Sequence, residues 1–297
     1  MIKENKNIFI VMLLLAVFTV SYTPKFSSLT KENILIGNKI TIDKYFSFLD
    51  SIVLKYDSLT PYPLTEHLLV RANPWIIDTL KNTDYYIQKS KNKFVYDQKK
   101  MIVFKKGDVL ILPDAILAKT IIRSFQNTKI DINIPEFTLR IFEDATELFK
   151  FPIRVGRDEK KYLEMSGRVE DLKTKKGKGK IVGYNRYPAY YNPINNQQYF
   201  VTKRDDAKVT KLPQIPFIET EINGFKYGQM IHPTTNPATL GKAVSNGCIG
   251  TSEENAWVIY YYAPMNTKIN IRYNLNIKDN NGSTIVLKDI YNYAKKQ

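Results

Sequence analysis

The chain has 297 residues, and its 44 lysines and arginines against 29 aspartates and glutamates give a formal net charge of +15. Hydrophobic residues make up 43% of the chain and aromatic residues 12%, which argues against an intrinsically disordered, collagenous or coiled-coil protein. Two histidines and one cysteine rule out an intrachain disulfide and a cysteine-rich or histidine-rich zinc site, and we expect no metal and no other cofactor.

The amino terminus carries an apolar segment behind two lysines. Residues 8–20 are apolar or neutral, follow Lys3 and Lys6, and end before Ser-Tyr-Thr-Pro. This segment has the length of a secretory signal core, whereas a membrane-spanning helix needs about 20 residues. Residues 1–23 are therefore predicted to be a signal peptide, with an uncleaved anchor or a buried helix as the alternatives.

Export combined with a basic composition indicates where the protein acts. An exported chain without disulfides favours a bacterial envelope over a eukaryotic secretory route, so we expect the periplasm or cell envelope. Anchoring to the inner membrane through the N-terminal segment stays open. Acidic or membrane-adjacent polymers are the expected partners. Nucleic acid is not expected, because the chain has no zinc-finger, RNP-type or basic-zipper pattern.

Residues 30–126 are predicted to form a small mixed α/β accessory domain. Apolar residues recur at helical spacing in 42–56 and again in 68–80, which indicates two helices. Residues 101–113 are typical of a strand, a Lys-Lys-Gly-Asp turn and a second strand. With its Ala-Asn-Pro at 72–74 and this ending, the block is similar to a degenerate LysM-like glycan-binding module. A plain structural domain is the alternative.

After Asn127 the pattern changes to short strands. Residues 130–134 and 137–142 are predicted strands, and 148–155 returns after a turn to form a hairpin. The lysine-rich segment 173–180 follows, and it is predicted to be a solvated loop, with a substrate-contacting lip as the alternative. Its glycines fit neither a Walker loop nor a dinucleotide-binding turn.

Prolines and tyrosines dominate the next fifty residues. Prolines confined to loops and strand edges suit a β framework whose long connections frame a cleft. Tyrosines can line such a cleft or pack in its rim and core. The tyrosines concerned are Tyr184, Tyr187, Tyr190 and Tyr191.

The only cysteine lies sixteen positions after one of the two histidines. A thiol is a few per cent thiolate at neutral pH, so a nucleophilic Cys248 needs a base, which His232 can supply. Residues 245–247 are small, leaving the sulfur approachable and backbone N–H groups free for an oxyanion. The capping box Thr251–Glu254 predicts a helix to about Tyr262, whose N-terminal dipole would favour thiolate. A buried, inert cysteine is the alternative.

These residues resemble the catalytic signature of the L,D-transpeptidase (YkuD-type) family, in which a histidine precedes Ser/Thr-His-Gly-Cys. Here residues 233–247 separate His232 from Cys248, and the cysteine follows Ser-Asn-Gly. The flanking sequence Leu-Gly-Lys-Ala-Val, 240–244, also looks like the catalytic end of that family.

The resemblance covers residues 128–274 and begins with residues 132–143, which are similar to the first hairpin of the family. It implies an α+β, mainly β fold: a YkuD-like β-sandwich with a short helix after the cysteine. The chain would then comprise the signal or anchor, the accessory domain, this catalytic domain and a C-terminal extension, 275–297.

The resemblance also implies residue roles in acyl transfer on peptidoglycan stem peptides. Cys248 would attack the carbonyl of the third residue of a donor tetrapeptide, releasing D-alanine, and an acceptor amine would resolve the thioester. His232 would be the general base. The amides of Gly247 and Cys248 would bind the oxyanion, with Ser245 and Asn246 supporting the loop.

Three positions depart from the family pattern. Asn246 replaces a frequent second histidine, Pro233 replaces a frequent glycine, and Gly250 stands where an arginine or asparagine often follows Cys-Ile. A glycine has no side chain to bind a carboxylate, so substrate anchoring is expected elsewhere. The candidates are Lys242, Arg186, Tyr191 and the lysine-rich segment.

Other functions remain as alternatives. A carboxypeptidase shares the thioester step and differs only in using water as acceptor. A sortase-like enzyme would recruit Arg272 as a third residue, although its histidine and cysteine lie farther apart, and papain-like peptidases and amidases usually place cysteine before histidine. A non-catalytic peptidoglycan-binding protein is the last alternative. For His67, far from the motif, a packing role is expected.

Overall fold

The computed structural model describes residues 32–279 and 281–293, so the predicted signal or anchor, 1–23, lies outside the described residues. No helix within those two ranges is both long and apolar enough to cross a bilayer. The helices are α1 (Ile42–Tyr56), α2 (Glu66–Ala72), α3 (Trp75–Lys81), α4 (Tyr85–Ser90), α5 (Ala115–Asn127) and α6 (Glu253–Tyr262).

The strands of the N-terminal region are β1 (Glu32–Leu35), β2 (Ile40–Thr41), β3 (Ile102–Phe104) and β4 (Val109–Leu112). Those that follow are β5 (Thr128–Asn133), β6 (Thr138–Glu143), β7 (Thr146–Pro152), β8 (Val155–Gly156), β9 (Lys160–Leu163), β10 (Arg168–Asp171), β11 (Gly177–Asn185), β12 (Val201–Lys203), β13 (Val209–Lys211), β14 (Phe217–Ile222), β15 (Met230–Pro233), β16 (Ala243–Ser245), β17 (Ile249–Thr251), β18 (Lys268–Arg272), β19 (Asn276–Lys278) and β20 (Thr284–Val286).

Helix α1 spans the predicted residues, but the second predicted helix is divided into α2 and α3. Pro74 has no backbone N–H and disfavours helical geometry at the residue before it, so the chain breaks at Asn73. The Asn73 side chain bonds β4 instead. Its Nδ2 donates to the Ile111 carbonyl at 2.9 Å, and its Oδ1 accepts from the Ile111 N–H at 2.8 Å.

The two strands predicted in 101–113 are present but do not form a hairpin with each other. Strand β4 pairs antiparallel with β1, and β3 pairs antiparallel with β2. The Lys-Lys-Gly-Asp turn therefore joins two separate two-stranded sheets, in which β3 contacts α1 and α3 and β4 contacts α2.

An eight-stranded mixed sheet forms the rest of the framework, in the order β17-β15-β14-β11-β18-β5-β6-β7. The predicted hairpin is confirmed as the antiparallel pair β6 and β7. Within this sheet of the described residues, neighbouring strands are parallel at β18/β5 and at β15/β17 and antiparallel at the other pairs. The second parallel pair matters for function, because a tight turn cannot join two parallel strands. The chain must therefore leave the sheet after β15 and cross back before it enters β17.

The solvated loop predicted for 173–180 is wrong, because Lys173 and Thr174 are buried and the second half of the segment is a strand. Residues from Gly177 onward form β11, which lies between β14 and β18 in the large sheet. The Gly-Lys-Gly-Lys sequence has the two-residue period of a strand, which a count of lysines conceals. Lys178 and Lys180 are exposed, so the charges stay in water while the backbone pairs on both sides.

Helix α6 joins the N-terminal region to the large sheet. It begins with Ser252 as its cap, whose Oγ accepts from the Asn255 N–H at 3.3 Å, whereas the predicted cap, Thr251, belongs to β17. The predicted end at Tyr262 is confirmed. After a polar first turn, the helix is apolar on every side and buried from Ala256 to Tyr261, which is typical of a helix surrounded by the core.

Aromatic side chains fill the junction around α6. The Tyr45 and Tyr261 hydroxyls are 2.6 Å apart, and the ring centroids of Phe46 and Trp257 are 6.1 Å apart. All four side chains are fully buried and belong to one apolar cluster that continues into the large sheet. The N-terminal region therefore covers the helix that follows the cysteine.

The C-terminal extension contains two strands and a buried tyrosine rather than the single strand predicted. Strands β19 and β20 pair antiparallel. Beyond them, the Tyr291 hydroxyl donates to the Gly156 carbonyl at 2.7 Å and accepts from the Thr174 N–H at 3.1 Å. Tyr291 is fully buried, so this segment is packed into the fold.

The predicted fold class is confirmed by this architecture. A mainly β core carries one helix shortly after the cysteine, and a mixed helical and strand region precedes it.

Candidate functional site

Adjacent parallel strands bring His232 and Cys248 to one edge of the large sheet. His232 lies in β15 and is paired in register with Gly250 of β17, two residues after Cys248. Side chains alternate between the faces of a strand, and paired residues project to the same face. His232 and Gly250 therefore share a face, and Cys248 lies immediately before β17, although fifteen residues separate the histidine from the thiol.

The turn before the thiol is fixed by hydrogen bonds. Ser245 Oγ donates to the Cys248 carbonyl at 2.6 Å, and Thr174 Oγ1 donates to the Gly247 carbonyl at 3.0 Å. Arg157 Nη2 donates to Asn246 Oδ1 at 2.5 Å. Gly247 has a φ of +110°, a conformation that other residues rarely adopt. Each residue from 245 to 248 is thus held by its own contact or by its backbone geometry.

His232 is oriented by one hydrogen bond and one aromatic ring. Its Nδ1 lies 2.8 Å from the Pro233 carbonyl, and a carbonyl only accepts, so Nδ1 carries the proton in the neutral ring. Phe217 of β14 stacks on the imidazole with ring centroids 4.8 Å apart. This tautomer leaves Nε2 as the basic nitrogen.

Arg154 enters the site from the segment that joins β7 to β8. Its backbone N–H donates to the Gly250 carbonyl at 2.8 Å, and its carbonyl accepts from the Gly250 N–H at 3.0 Å. Its side chain crosses the face of that glycine, since a Cβ added at Gly250 would lie 2.5 Å from Arg154 Nε. The guanidinium acts electrostatically on both Cys248 and His232.

The histidine and the thiol are both neutral near pH 7. Burial and, to a smaller extent, the Arg154 charge lower the pKa of His232 to about 4, against the opposing effect of the Pro233 hydrogen bond. Burial raises the pKa of the Cys248 thiol, although the Met230 N–H and Arg154 oppose this. The thiolate expected from the helix dipole is therefore wrong for the free protein. Strand β17 separates the thiol from the start of α6, and desolvation dominates.

Comparison with known proteins identifies the segment that carries this site. Residues 127–271 match the model of the YkuD family, the L,D-transpeptidase catalytic domain. Residues 127–271 belong to the YkuD family.

Solved structures of L,D-transpeptidases are similar to parts of the chain. One from Mycobacterium smegmatis has 16% identity and a TM-score of 0.34 over 49% of this chain and 58% of its own. L,D-transpeptidase 3 from Mycobacterium tuberculosis, in complex with a faropenem-derived adduct, has 17% identity and a TM-score of 0.33 over 49% and 60%. One from Xylanimonas cellulosilytica has 11% identity and a TM-score of 0.36 over 82% and 98%. No curated protein sequence matches the chain significantly.

The chain thus spans less than two thirds of the two mycobacterial proteins. The match covers 58% of one and 60% of the other.

The substrate-binding candidates from the sequence are dispersed in the structure. Lys242 is exposed, and its carbonyl accepts from the Val155 N–H at 3.1 Å, so its backbone is joined to the strand after Arg154. Tyr191 is 41% exposed and bridges to Gln198 in a surface loop. Their roles stay predictions.

Arg186 is committed to the N-terminal region instead of the thiol. Both of its terminal nitrogens bond the Asp50 carboxylate at 2.8 Å, and Nη1 also bonds Glu66 at 2.9 Å. Its guanidinium lies over the Phe46 ring. These contacts give Arg186 a packing role, and we do not retain it as a substrate anchor.

Arg272, the third residue of the sortase-like alternative, lies far from the thiol edge. It is in β18, which is separated from β15 by β11 and β14, about 14 Å across the sheet. Its Nε bonds the Asp131 carboxylate at 3.0 Å. This placement argues against the sortase-like arrangement.

Sequence reasoning missed Arg154, Arg157, Thr174 and Phe217. The sequence gives one indication of Arg154, since this residue is a lone cation inside the apolar run Phe-Pro-Ile-Arg-Val at 151–155. A charge in the middle of such a run is unusual unless it is paired or functional. Thr174 and Phe217 left none, because they reach the site through contacts between segments far apart in the chain.

The raised thiol pKa predicts slow alkylation at neutral pH. Iodoacetamide should label Cys248 in the folded protein more slowly at pH 7 than in the urea-unfolded protein, with a pH midpoint above the ordinary thiol value. Arg154→Met should shift that midpoint higher, because the guanidinium favours the thiolate. Labelling reactions quenched at set times and read by mass spectrometry give the alkylation rate at each pH. A rate that reaches its plateau below pH 7 would contradict the raised thiol pKa.

Proposed function

We propose that the protein is an exported peptidoglycan L,D-transpeptidase that uses Cys248 as nucleophile and His232 as general base. The single observation that supports this most is the pairing of β15 with β17 in the YkuD segment, because the strand of His232 lies beside the strand that begins immediately after Cys248. We expect it to act in the bacterial cell envelope, in peptidoglycan synthesis, cell-wall organisation and cell shape.

In the first half-reaction the thiol sulfur attacks the carbonyl carbon of the third residue of a donor tetrapeptide. His232 Nε2 takes the thiol proton as the carbon–sulfur bond forms. Because the thiol pKa is raised and that of His232 is about 4, this transfer accompanies the attack instead of preceding it. The intermediate then expels D-alanine, whose nitrogen receives the proton from His232, and a thioester remains.

In the second half-reaction an acceptor amine of another stem peptide attacks the thioester carbonyl. His232 takes the proton from the amine and returns it to the departing sulfur, so the free enzyme is restored and a peptide cross-link has formed. Water in place of the amine yields a tripeptide, which is the carboxypeptidase alternative.

The oxyanion of each tetrahedral intermediate needs backbone donors beside the sulfur. The Gly247 N–H points to Ser245 Oγ at 3.3 Å in the free protein, a long bond that an oxyanion can replace. We assign this N–H and that of Cys248 to the oxyanion site. Ser245 and Asn246 then act by holding the turn.

The accessory region is proposed to assist through its position and its glycan-binding resemblance. Its first and last strands, β1 and β4, pair antiparallel with helices between them, and Asn73 clamps β4. We propose that residues 30–126 are a LysM-like accessory domain and that residues 1–23 direct export or anchor the chain to the inner membrane.

Muropeptides test the proposal directly. The protein from residue 27 onward is mixed with disaccharide tetrapeptides, and products are read by mass spectrometry beside Cys248→Ala. Dimers that have lost one D-alanine, absent with the variant, are the expected result. Tripeptide alone would establish the carboxypeptidase. Unchanged substrates across several third-position diamino acids would overturn acyl transfer and favour a peptidoglycan-binding protein.

A further inference from the structure

The Arg154 guanidinium occupies space that a side chain at position 250 would fill. A Cβ added at Gly250 would lie 2.5 Å from Arg154 Nε and 2.8 Å from its Cγ. Gly250 is two residues after the thiol and is paired in register with His232. A cation from a distant part of the chain is thereby set over the residue that pairs with His232 and within electrostatic range of Cys248.

This guanidinium lacks an anionic partner. Within residues 32–279 and 281–293, no carboxylate oxygen lies within 4.0 Å of its nitrogens. Nε is buried without a hydrogen-bond acceptor, and Nη1 has only a long contact of 3.4 Å to Thr239 Oγ1. Burying a charge without a partner is unfavourable, so the protein holds here a cation that an incoming anion would stabilise.

The location of the cation restricts which anion it can serve. Its charge acts on both the Cys248 thiol and the His232 imidazole, so the bound anion would lie beside the reacting carbonyl. A donor stem peptide offers carboxylates near that carbonyl. One is the terminal carboxylate of the leaving D-alanine, and the other is on the side chain of a diaminopimelate third residue.

We propose that Arg154 binds a carboxylate of the acyl donor and so positions the carbonyl that Cys248 attacks. This assignment rests on the proposed function. Arginine suits the task, because its planar fork matches a carboxylate with two hydrogen bonds.

Carboxylate binding at Arg154 would also act on the histidine. The Arg154 charge is one cause of the lowered pKa of His232. A bound carboxylate compensates that charge, so His232 becomes a stronger base when a donor is in place. When no donor is bound, the Cys248 thiol stays protonated.

Peptide binding to Cys248→Ala protein tests Arg154 without turnover. Calorimetry would compare four tetrapeptides, with diaminopimelate or lysine as third residue and with D-alanine as free acid or amide. Arg154→Met in the Cys248→Ala chain should weaken binding about 10- to 100-fold for peptides that carry the recognised carboxylate, and leave the others unchanged. Lost preference for acid over amide identifies the terminal carboxylate, whereas lost preference for diaminopimelate over lysine identifies the side chain.

Two further variants test whether the change in affinity comes from the loss of any positive charge or from misfolding of Arg154→Met. Lys150→Met removes one exposed positive charge from β7 and should leave all four affinities unchanged. Gly250→Ala keeps the arginine but displaces it, because the new Cβ would meet the middle of its side chain, and the carboxylate preference should fall. Gly250→Ala keeps the test decisive even where Arg154→Met does not fold.

The outcomes separate this inference from the proposed function. Equal losses for all four peptides, an unchanged preference, or no binding of any peptide would overturn the role of Arg154. Absence of product from muropeptides with the wild-type chain would instead overturn acyl transfer, and the binding comparison would still decide whether Arg154 recognises a carboxylate.

Discussion

Replacing His232 with alanine should lower the rate of acyl transfer from a tetrapeptide donor by about 10²- to 10⁴-fold, which is the usual contribution of a general base. The loss should be large because the thiol is protonated at neutral pH and has to transfer its proton during the attack. The rate is measured as thioester formation on the intact protein, by mass spectrometry after rapid quenching.

The pH profile of the same reaction distinguishes a base from a structural histidine. With a His232 pKa of about 4, the imidazole is unprotonated at pH 5, so wild-type activity should persist from pH 7 to pH 5. A sharp loss of activity near pH 6.5 would contradict the half-buried, neutral imidazole. Phe217→Leu serves as a control, because it removes the ring that orients His232 but keeps the base.

Replacing Arg204 with methionine should lower the free energy of unfolding by about 3–5 kcal/mol. Arg204 and Glu253 form an ion pair whose side chains are 0% and 1% exposed. Gln98 bonds both, donating to Glu253 Oε2 at 2.7 Å and accepting from Arg204 Nη2 at 2.8 Å. Removing the arginine leaves a buried carboxylate at the first turn of α6 without its cation.

Urea denaturation of matched variants tests this prediction. Lys211→Met breaks the ion pair with Asp97, whose lysine is 48% exposed, and should change the free energy of unfolding by less than about 1 kcal/mol. Arg204→Met combined with Glu253→Leu should recover much of the loss, since neither charge then remains buried. If Arg204→Met costs no more than Lys211→Met, the buried pair is not important for stability.

The extent to which the sequence revealed the site depends on how local each signal is. The link between His232 and Cys248 was visible because both residue types are rare in this chain and the turn between 245 and 248 has a recognisable composition. Helix α1 was visible from the helical spacing of its apolar residues, and α6 was visible from the capping sequence before it, although the cap is Ser252 instead of Thr251.

Features that arise from tertiary packing were not visible. The contact of Arg154 with Gly250 joins segments almost a hundred residues apart. From the local sequence alone, a glycine at 250 indicates only that the side chain of a substrate anchor is missing. From the local sequence alone, Arg204 and Glu253 would each be interpreted as an ordinary surface charge, although they form a buried ion pair. The thiol pKa depends on burial, which outweighed the dipole argument drawn from the neighbouring helix.

The burial of α6 has a consequence for the autonomy of the YkuD segment. A fragment restricted to 127–271 would lose the partners of Trp257 and Tyr261, since Tyr45 and Phe46 belong to the N-terminal region. It would also lose Tyr291 from behind the catalytic turn. Wide aromatic surfaces would then face water, which drives self-association. The YkuD segment is therefore smaller than the part of the chain that we expect to fold as one cooperative unit.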